Sequence, residues 1–314
     1  MATLKNEVQN ALDEGRILIL GTQVLIGFEY RAVFQERFDA LAPWAQAAAL
    51  SSLCIMLVAY ALVSLPAAYH RIAARGHDRS HVHAFTTAVL RVALLPLALG
   101  IGVDSAVAAS RALGDRAAVA FGGAVTLAAV AGWYGFTYGA RARRGDAPAA
   151  PEDAMQPTKV EDRIKHVLTE SRMVIPGAQA LLGFQFAVTL TSAFEKLPGA
   201  LRLLHLGVIG LVALSIVLLV TPAAYHRIVE RGEETERFHT VASRLVVAAM
   251  IPLALALAGE LLVVVYKVTE SYGVAGGAAG AALAMFLGLW FGLPLALRAR
   301  RPRPRRAEPA CANS

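Results

Sequence analysis

The feature that most constrains the fold is an internal repeat covering most of the chain. The segment Pro66–Arg71 reads Pro-Ala-Ala-Tyr-His-Arg and returns letter for letter at Pro222–Arg227, at an offset of 156 residues. The same offset aligns Gly21, Gln23, Gly27, Phe28, His83, Pro96 and Asp104 with Gly177, Gln179, Gly183, Phe184, His239, Pro252 and Glu260. Self-similarity at a fixed offset indicates that one structural unit is present twice.

Composition places both units in a lipid bilayer. The chain is 56% hydrophobic and 17% charged, whereas soluble domains average about 45–50% apolar and ~25% charged residues. The apolar residues form long blocks, which indicates membrane-spanning helices. The net charge of +7 then favours basic cytoplasmic loops and anionic lipid headgroups as partners, and not nucleic acid. The polar, acid-containing N-terminus predicts no secretory signal.

Each unit is predicted to contain about four spans, preceded by a short amphipathic helix. Apolar residues near positions 4–12 and 160–168 have helical spacing, which predicts an interfacial helix at the start of each unit. Apolar blocks follow at about 17–34, 41–69, 85–109 and 117–140, and again at 173–194, 206–225, 245–266 and 271–297. Pro176 is expected near the start of its helix. The predicted fold is therefore an all-α polytopic membrane bundle of two parallel tandem repeats.

Charge in the connections predicts the topology. Arginines follow the second and fourth spans of both units, and short loops rich in arginine stay in the cytoplasm. We therefore expect both termini on the cytoplasmic side of a bacterial inner membrane. The predicted domains are a first repeat at 1–144, a flexible Pro- and Ala-rich linker at 145–159, a second repeat at 160–300 and a basic disordered tail at 301–314. The tail arginines are expected to bind anionic lipid: Arg301, Arg303, Arg305 and Arg306.

Acidic residues inside apolar spans are the main candidates for function. Glu260 is flanked by apolar residues on both sides, and Asp104 occupies the equivalent position. Ionisable groups inside a membrane face the bundle interior, a water-filled cavity or a partner, so both are candidates for an ion or proton pathway. A neutral, hydrogen-bonded carboxyl is the structural alternative. Glu29 is a further candidate, although the second repeat has Gln185 at its position.

Paired glutamines and histidines give weaker signals. Gln23 and Gln179 lie among apolar residues with glycines nearby, which fits either interhelical hydrogen bonding or the lining of a polar path. His70, His226, His83 and His239 lie at predicted helix ends on the cytoplasmic rim. There they either cap helix termini or respond to pH.

The sequence predicts no enzyme, metal or cofactor. The pair His81 and His83 has metal-ligand spacing, but the second repeat has Arg237 at the position of His81, which favours a solvated loop. Haem bound by two histidines requires imidazoles facing each other inside a bundle, whereas these lie at its rim. Cys54 and Cys311 have no metal or disulfide spacing. No catalytic nucleophile arrangement or phosphate loop is present.

Two motifs carry a family resemblance. The pattern Gly-x-Gln-x-Leu-x-Gly-Phe occurs at Gly21–Phe28 and at Gly177–Phe184, together with the Pro-Ala-Ala-Tyr-His-Arg segment. In these motifs the chain resembles an uncharacterised family of bacterial four-span membrane proteins, here duplicated and fused. Some members of that family carry the label sodium/proton antiporter. The resemblance implies a four-span unit and assigns no residue roles.

Two functions from different classes remain open. The first is a transporter or channel for a small ion, with protons as one candidate, which relies on the intramembrane acids and the paired glutamines. The second is a non-transporting scaffold or accessory subunit, which relies on glycine-rich fourth spans and the basic tail. The same glycine-rich spans make a homo-oligomer a possible assembly.

Overall fold

The computed structural model describes residues 4–74, 80–136, 160–230 and 235–300, and these form helices joined by short turns. The first repeat contains α1 (Leu4–Ala32), α2 (Pro43–Ile72), α3 (Ser80–Leu113) and α4 (Asp115–Val130), which continues into a π-helical segment, Ala131–Phe136. The second contains α5 (Val160–Thr189), the single turn α6 (Ser192–Glu195), α7 (Gly199–Ile228), α8 (Glu236–Thr269) and α9 (Tyr272–Leu287), then a π-helical segment, Gly288–Gly292, and α10 (Leu293–Ala299). The all-α fold and its duplication are confirmed.

The first helix of each repeat differs from the prediction. We expected a short interfacial helix followed by a separate span, but α1 and α5 are each one continuous helix of 29 and 30 residues. A change from amphipathic to apolar sequence does not interrupt backbone hydrogen bonding unless a breaker is present. Pro176 lies inside α5 and not near its start, which corrects a second expectation.

Six helices of the described chain are long and apolar enough to cross a membrane, where about eight spans were expected. They are Pro43–Ile72, Val82–Leu113, Asp115–Gly135, Gly199–Arg227, Glu236–Thr269 and Tyr272–Ala299. In α5 the apolar stretch is limited to Val174–Thr189, which is shorter than the ~20 residues that a 30 Å hydrocarbon core requires. Glu29 and Arg31 interrupt the corresponding part of α1.

Local sequence sets several helix ends. The hydroxyl of Thr235 accepts a hydrogen bond from the backbone N–H of Phe238 at 3.0 Å and caps α8, and Ser271 caps α9 in the same way through Val274. Such caps satisfy backbone donors that the first turn leaves free. Glu270 ends α8 in a left-handed conformation with φ 51°, which costs a non-glycine residue about 1–2 kcal/mol.

Glycines allow the two repeats to approach each other along α1 and α5. A Cβ on Gly27 would lie 2.2 Å from the ring of Phe184, and a Cβ on Gly177 would lie 1.8 Å from Oε1 of Gln23. Their counterparts in the other repeat, Gly183 and Gly21, have nothing within 4 Å among the described residues. Each repeat therefore uses a different glycine of the shared motif, so the interface is not symmetric.

The fourth helices also pack differently. Trp290, in the π-helical segment of the second repeat, is fully buried against α2 of the first repeat and donates a hydrogen bond from Nε1 to the carbonyl oxygen of Ala61 at 3.1 Å. The equivalent residue, Tyr134, instead donates to the carbonyl oxygen of Arg91 within its own repeat. The fourth helix of the second repeat therefore packs on the first repeat, whereas α4 packs on α3 of its own repeat.

Candidate functional site

Three buried polar side chains from three helices meet inside the second repeat, and we call them the second-repeat cluster. They are Gln185 of α5, His205 of α7 and Glu260 of α8. Nδ1 of His205 lies 3.0 Å from Oε2 of Glu260, and both side chains are 0% exposed. The amide of Gln185 donates to the same carboxylate oxygen at 3.3 Å. A pair of ionisable side chains is thus enclosed away from the surface of the protein.

The contacts of His205 show which of its atoms must have a hydrogen nearby. Nε2 lies 3.2 Å from the backbone carbonyl oxygen of Gln185, and a carbonyl oxygen only accepts, so Nε2 carries a hydrogen. Nδ1 is not aligned for a hydrogen bond to Glu260, yet two acceptor atoms at 3.0 Å repel each other unless one is protonated. At least one of His205 and Glu260 therefore carries a proton at this contact.

Two acceptor oxygens of this cluster have no protein partner. Oε1 of Glu260 and Oε1 of Gln185 are buried and accept no hydrogen bond from the part of the chain that the structure describes. Buried acceptors without a partner are uncommon and call for a proton, a water molecule or a cation. The described residues thus leave two hydrogen-bond acceptors of the cluster unsatisfied.

A related cluster lies in the first repeat. Glu29 of α1, Ser52 of α2 and Asp104 of α3 form this first-repeat cluster, in which the carboxyl group of Asp104 contacts both other side chains. Oγ of Ser52 lies 2.9 Å from Oε1 of Glu29 and 3.1 Å from the carbonyl oxygen of Gly100. Ser52 has one hydroxyl hydrogen, so the two acceptors either share it or Glu29 supplies a proton of its own to the first contact.

The two clusters differ in access to their surroundings. Glu29 and Asp104 line a cavity of about 490 Å³ between α1, α2 and α3, which also has Phe28, Phe38 and Arg111 in its wall. The second-repeat cluster is fully enclosed, since His205 and Glu260 have no exposed surface. The first repeat therefore presents its two carboxyl groups to a cavity, whereas the second repeat buries its one carboxyl group completely.

Comparison with known proteins identifies the repeated unit. The model of a family of unknown function, DUF6328, matches the chain twice, over residues 3–137 and 155–294. The chain belongs to this family. No curated protein and no solved structure matches it.

The two DUF6328 repeats place three of the predicted site residues in the clusters. Glu29 and Asp104 meet in the first-repeat cluster, and Glu260, at the position equivalent to Asp104, lies in the second-repeat cluster. His205 and Ser52 were not predicted because they do not occupy equivalent positions of the repeat. His205 aligns with Ala49, which lies about one turn before Ser52. A histidine inside an otherwise apolar span was the one available signal for His205.

The paired glutamines do not behave as a pair in the DUF6328 structure. Gln23 is fully buried and donates a hydrogen bond from Nε2 to the hydroxyl of Tyr60 at 2.9 Å, whereas Gln179 is exposed. The contact of Gln23 with Tyr60 links two helices of the first repeat, and its packing against Gly177 links the two repeats. For Gln23 this arrangement favours interhelical bonding over the lining of a path.

The predicted histidines lie at the opposite end of the DUF6328 bundle from the clusters. His70 and His226 are in the last turns of α2 and α7, and His83 and His239 are in the first turns of α3 and α8. His226 follows His205 by 21 positions along α7, or roughly 30 Å at 1.5 Å per residue. His226 packs against the ring of Phe238 at 4.8 Å. These histidines do not contribute to the carboxyl clusters.

The remaining predictions concern metals and the tail. Among the residues that the structure describes, no group of three or more His, Cys, Asp or Glu side chains is placed to hold a metal ion. The predicted linker at 145–159 and the lipid-binding arginines, Arg301, Arg303, Arg305 and Arg306, lie outside the described residues.

Proposed function

We propose that this protein moves a small cation, with the proton as the first candidate, across a membrane. The observation that carries the proposal is the enclosed pair of His205 and Glu260, at least one of which carries a proton inside a helix bundle. An ionisable side chain within the membrane is costly, so it is retained where it handles charge or serves a partner. Proton exchange between an imidazole and a carboxylate requires only a small rearrangement of the pair.

The first-repeat cluster supports the same proposal. It places two carboxyl groups and a hydroxyl in contact at the equivalent level of the other repeat, beside a cavity. Two carboxyl groups in contact cannot both be ionised without a proton or a cation between them. Both repeats thus hold a group that binds and releases one positive charge.

The setting of the proposed transport follows from the sequence. We infer a multi-pass protein of the bacterial inner membrane whose arginine-bearing turns and termini face the cytoplasm, and whose basic tail contacts anionic lipid. In this proposal the protein is not an enzyme and needs no cofactor. The two carboxyl clusters then lie toward the opposite side of the membrane from the histidines of α2 and α7.

Ion flux in reconstituted vesicles tests this function. Purified protein in liposomes with a trapped pH-sensitive dye is expected to equilibrate an imposed pH or sodium gradient, because the enclosed pair gives the ion a site inside the bundle. Glu260→Gln should reduce the flux to that of protein-free vesicles, since an amide cannot exchange the proton. Glu36→Gln, an exposed loop residue, is the matched control and should keep full flux. Absence of any flux in the unmodified protein would contradict the proposal.

A scaffold or accessory subunit is the second candidate, and the fourth helices favour it. Gly276, Gly280 and Gly288 of the α9 region have nothing within 4 Å among the described residues, so this small-residue surface is free to pack on another helix. A second copy of the chain is one such partner. Native mass spectrometry of protein extracted in mild detergent tests this, and a strictly monomeric species together with measurable flux would contradict the scaffold.

A further inference from the structure

A charged cavity lies at the end of the bundle that carries the α1–α2 turn and α6, and we call it the vestibule. Its volume is about 560 Å³, and both repeats contribute charged residues to its wall: Asp39, Lys196, Lys267 and Glu270. Lys267 pairs with Asp39 and lies over the ring of Phe38, 5.1 Å from its centroid. A charged wall of this kind holds water and attracts ions.

Phe194 contacts the second-repeat cluster and belongs to the short turn that lines the vestibule. Its neighbours in the chain, Ala193, Lys196 and Leu197, line the vestibule, while its own ring lies 5.2 Å from the imidazole of His205. His205 has no exposed surface, and Phe194 is half-buried. The ring that contacts the enclosed pair is thus carried by the same turn that lines the polar chamber.

We propose that the vestibule supplies water-borne protons to His205 and Glu260, and that Phe194 closes this route. This inference rests on the proposed function, and it adds the path of access and the residue that controls it. Among the residues that the structure describes, Oε1 of Glu260 and Oε1 of Gln185 have no donor, so the enclosed site can accept a proton or a water molecule.

The first repeat supports this role through its equivalent residue. Phe38 aligns with Phe194 at the offset of 156 residues, and it lines the cavity that holds Glu29 and Asp104. In the first repeat Glu29 and Asp104 line a cavity, whereas in the second repeat Glu260 is fully buried. The same aromatic position thus accompanies an open cluster in one repeat and a closed cluster in the other.

Chemical labelling of carboxyl groups tests the route without depending on transport. A small water-soluble carbodiimide with an amine nucleophile modifies carboxyl groups that water reaches. Trypsin then releases three peptides with one carboxyl side chain each: 17–31 with Glu29, 92–111 with Asp104 and 245–267 with Glu260. Mass spectrometry of these peptides reports each carboxyl separately.

In the unmodified protein we expect labelling of Glu29 and Asp104 and very little of Glu260. Phe194→Ala should raise the labelling rate of Glu260 by about tenfold or more, because opening no longer displaces an aromatic ring. Phe194→Leu retains apolar bulk and should keep Glu260 protected. Phe186→Ala is the matched control, since it removes the same side chain from an exposed site, 53% accessible, next to Gln185.

The outcomes separate this inference from the proposed function. Faster labelling of Glu260 in Phe194→Ala, with Glu29 and Asp104 unchanged, supports the route even if the protein proves to carry no flux. Unchanged labelling of Glu260 in a variant whose other two carboxyl groups react normally overturns the route, even where flux is measured. Equal acceleration by Phe186→Ala also overturns it, because the effect would then come from general loosening.

Discussion

At the scale of single residues, the main feature is an ion pair that the fold encloses without completing. Nδ1 of His205 lies 3.0 Å from Oε2 of Glu260, and Gln185 adds a hydrogen bond, yet one oxygen of the carboxyl group and one of the amide remain without a partner in the described chain. A purely structural pair would be expected to satisfy all its polar atoms. The pair therefore differs from one that only stabilises the fold, in agreement with the proposed function.

Substitutions of this pair can separate stability from function. His205→Leu should lower the free energy of unfolding by about 3–5 kcal/mol, because it leaves Glu260 buried without its charge partner. The double variant His205→Leu with Glu260→Leu should recover most of that loss, since two apolar side chains need no partner, but should show no flux. Thermal unfolding in detergent and the vesicle assay measure the two effects.

His83→Leu is the control for these substitutions, because His83 is half-buried at the start of α3, away from both clusters. It should leave both measurements close to those of the unmodified protein. A double variant that regains stability and also transports would show that the pair is only structural.

At the scale of helices, close packing between α3 and α4 depends on glycine. A Cβ on Gly122 would lie 2.4 Å from the carbonyl oxygen of Gly102 and 2.6 Å from Cβ of Ala106. Backbone atoms cannot give way as a flexible side chain can, so the helices must separate to admit a methyl group. Small residues at this crossing thus allow the backbones of α3 and α4 to approach closely.

Gly122→Ala should therefore lower the free energy of unfolding by about 1–3 kcal/mol through overpacking. The adjacent Gly123 has nothing within 4 Å among the described residues, so Gly123→Ala should be neutral or stabilise the helix by up to ~1 kcal/mol. Thermal unfolding of both variants in the same detergent gives the comparison. Equal effects would indicate that α4 does not pack on α3 as described.

At the scale of the whole molecule, the second repeat holds the first through its fourth helix. Trp290 packs against Tyr60 with ring centroids 5.7 Å apart and against Phe286 at 4.7 Å. The hydroxyl of Tyr30 in α1 reaches the carbonyl oxygen of Leu257 in α8 at 2.8 Å and adds a hydrogen bond between the repeats. The fused chain therefore behaves as one unit and not as two neighbouring ones.

Removing this anchor should affect the whole protein. Trp290→Ala is expected to cost about 3–5 kcal/mol, as for other large buried aromatic residues. Tyr134→Ala, at the equivalent but half-buried position of the peripheral helix, should cost much less. Limited proteolysis and thermal unfolding report both variants, and similar losses would argue against the unequal packing of the two repeats.

The repeat made much of this architecture predictable. Residues at matched positions, such as Asp104 and Glu260, were identified because duplication supplies an internal comparison. His205 and Ser52 were not, because the two repeats fill the third position of their clusters from different turns of α2 and α7. The continuous α1 was also missed, since a change in hydrophobicity gives no signal for where a helix breaks.

The unequal clusters show what fusion of the repeats permits. Two separate copies of one subunit must carry identical chemistry, so any change in one appears in the other. Within one chain, the position of Glu29 has become Gln185 and the position of Ala49 has become His205. Covalent linkage thus fixes the ratio of the halves at one to one and allows the two clusters to differ in residues and in enclosure.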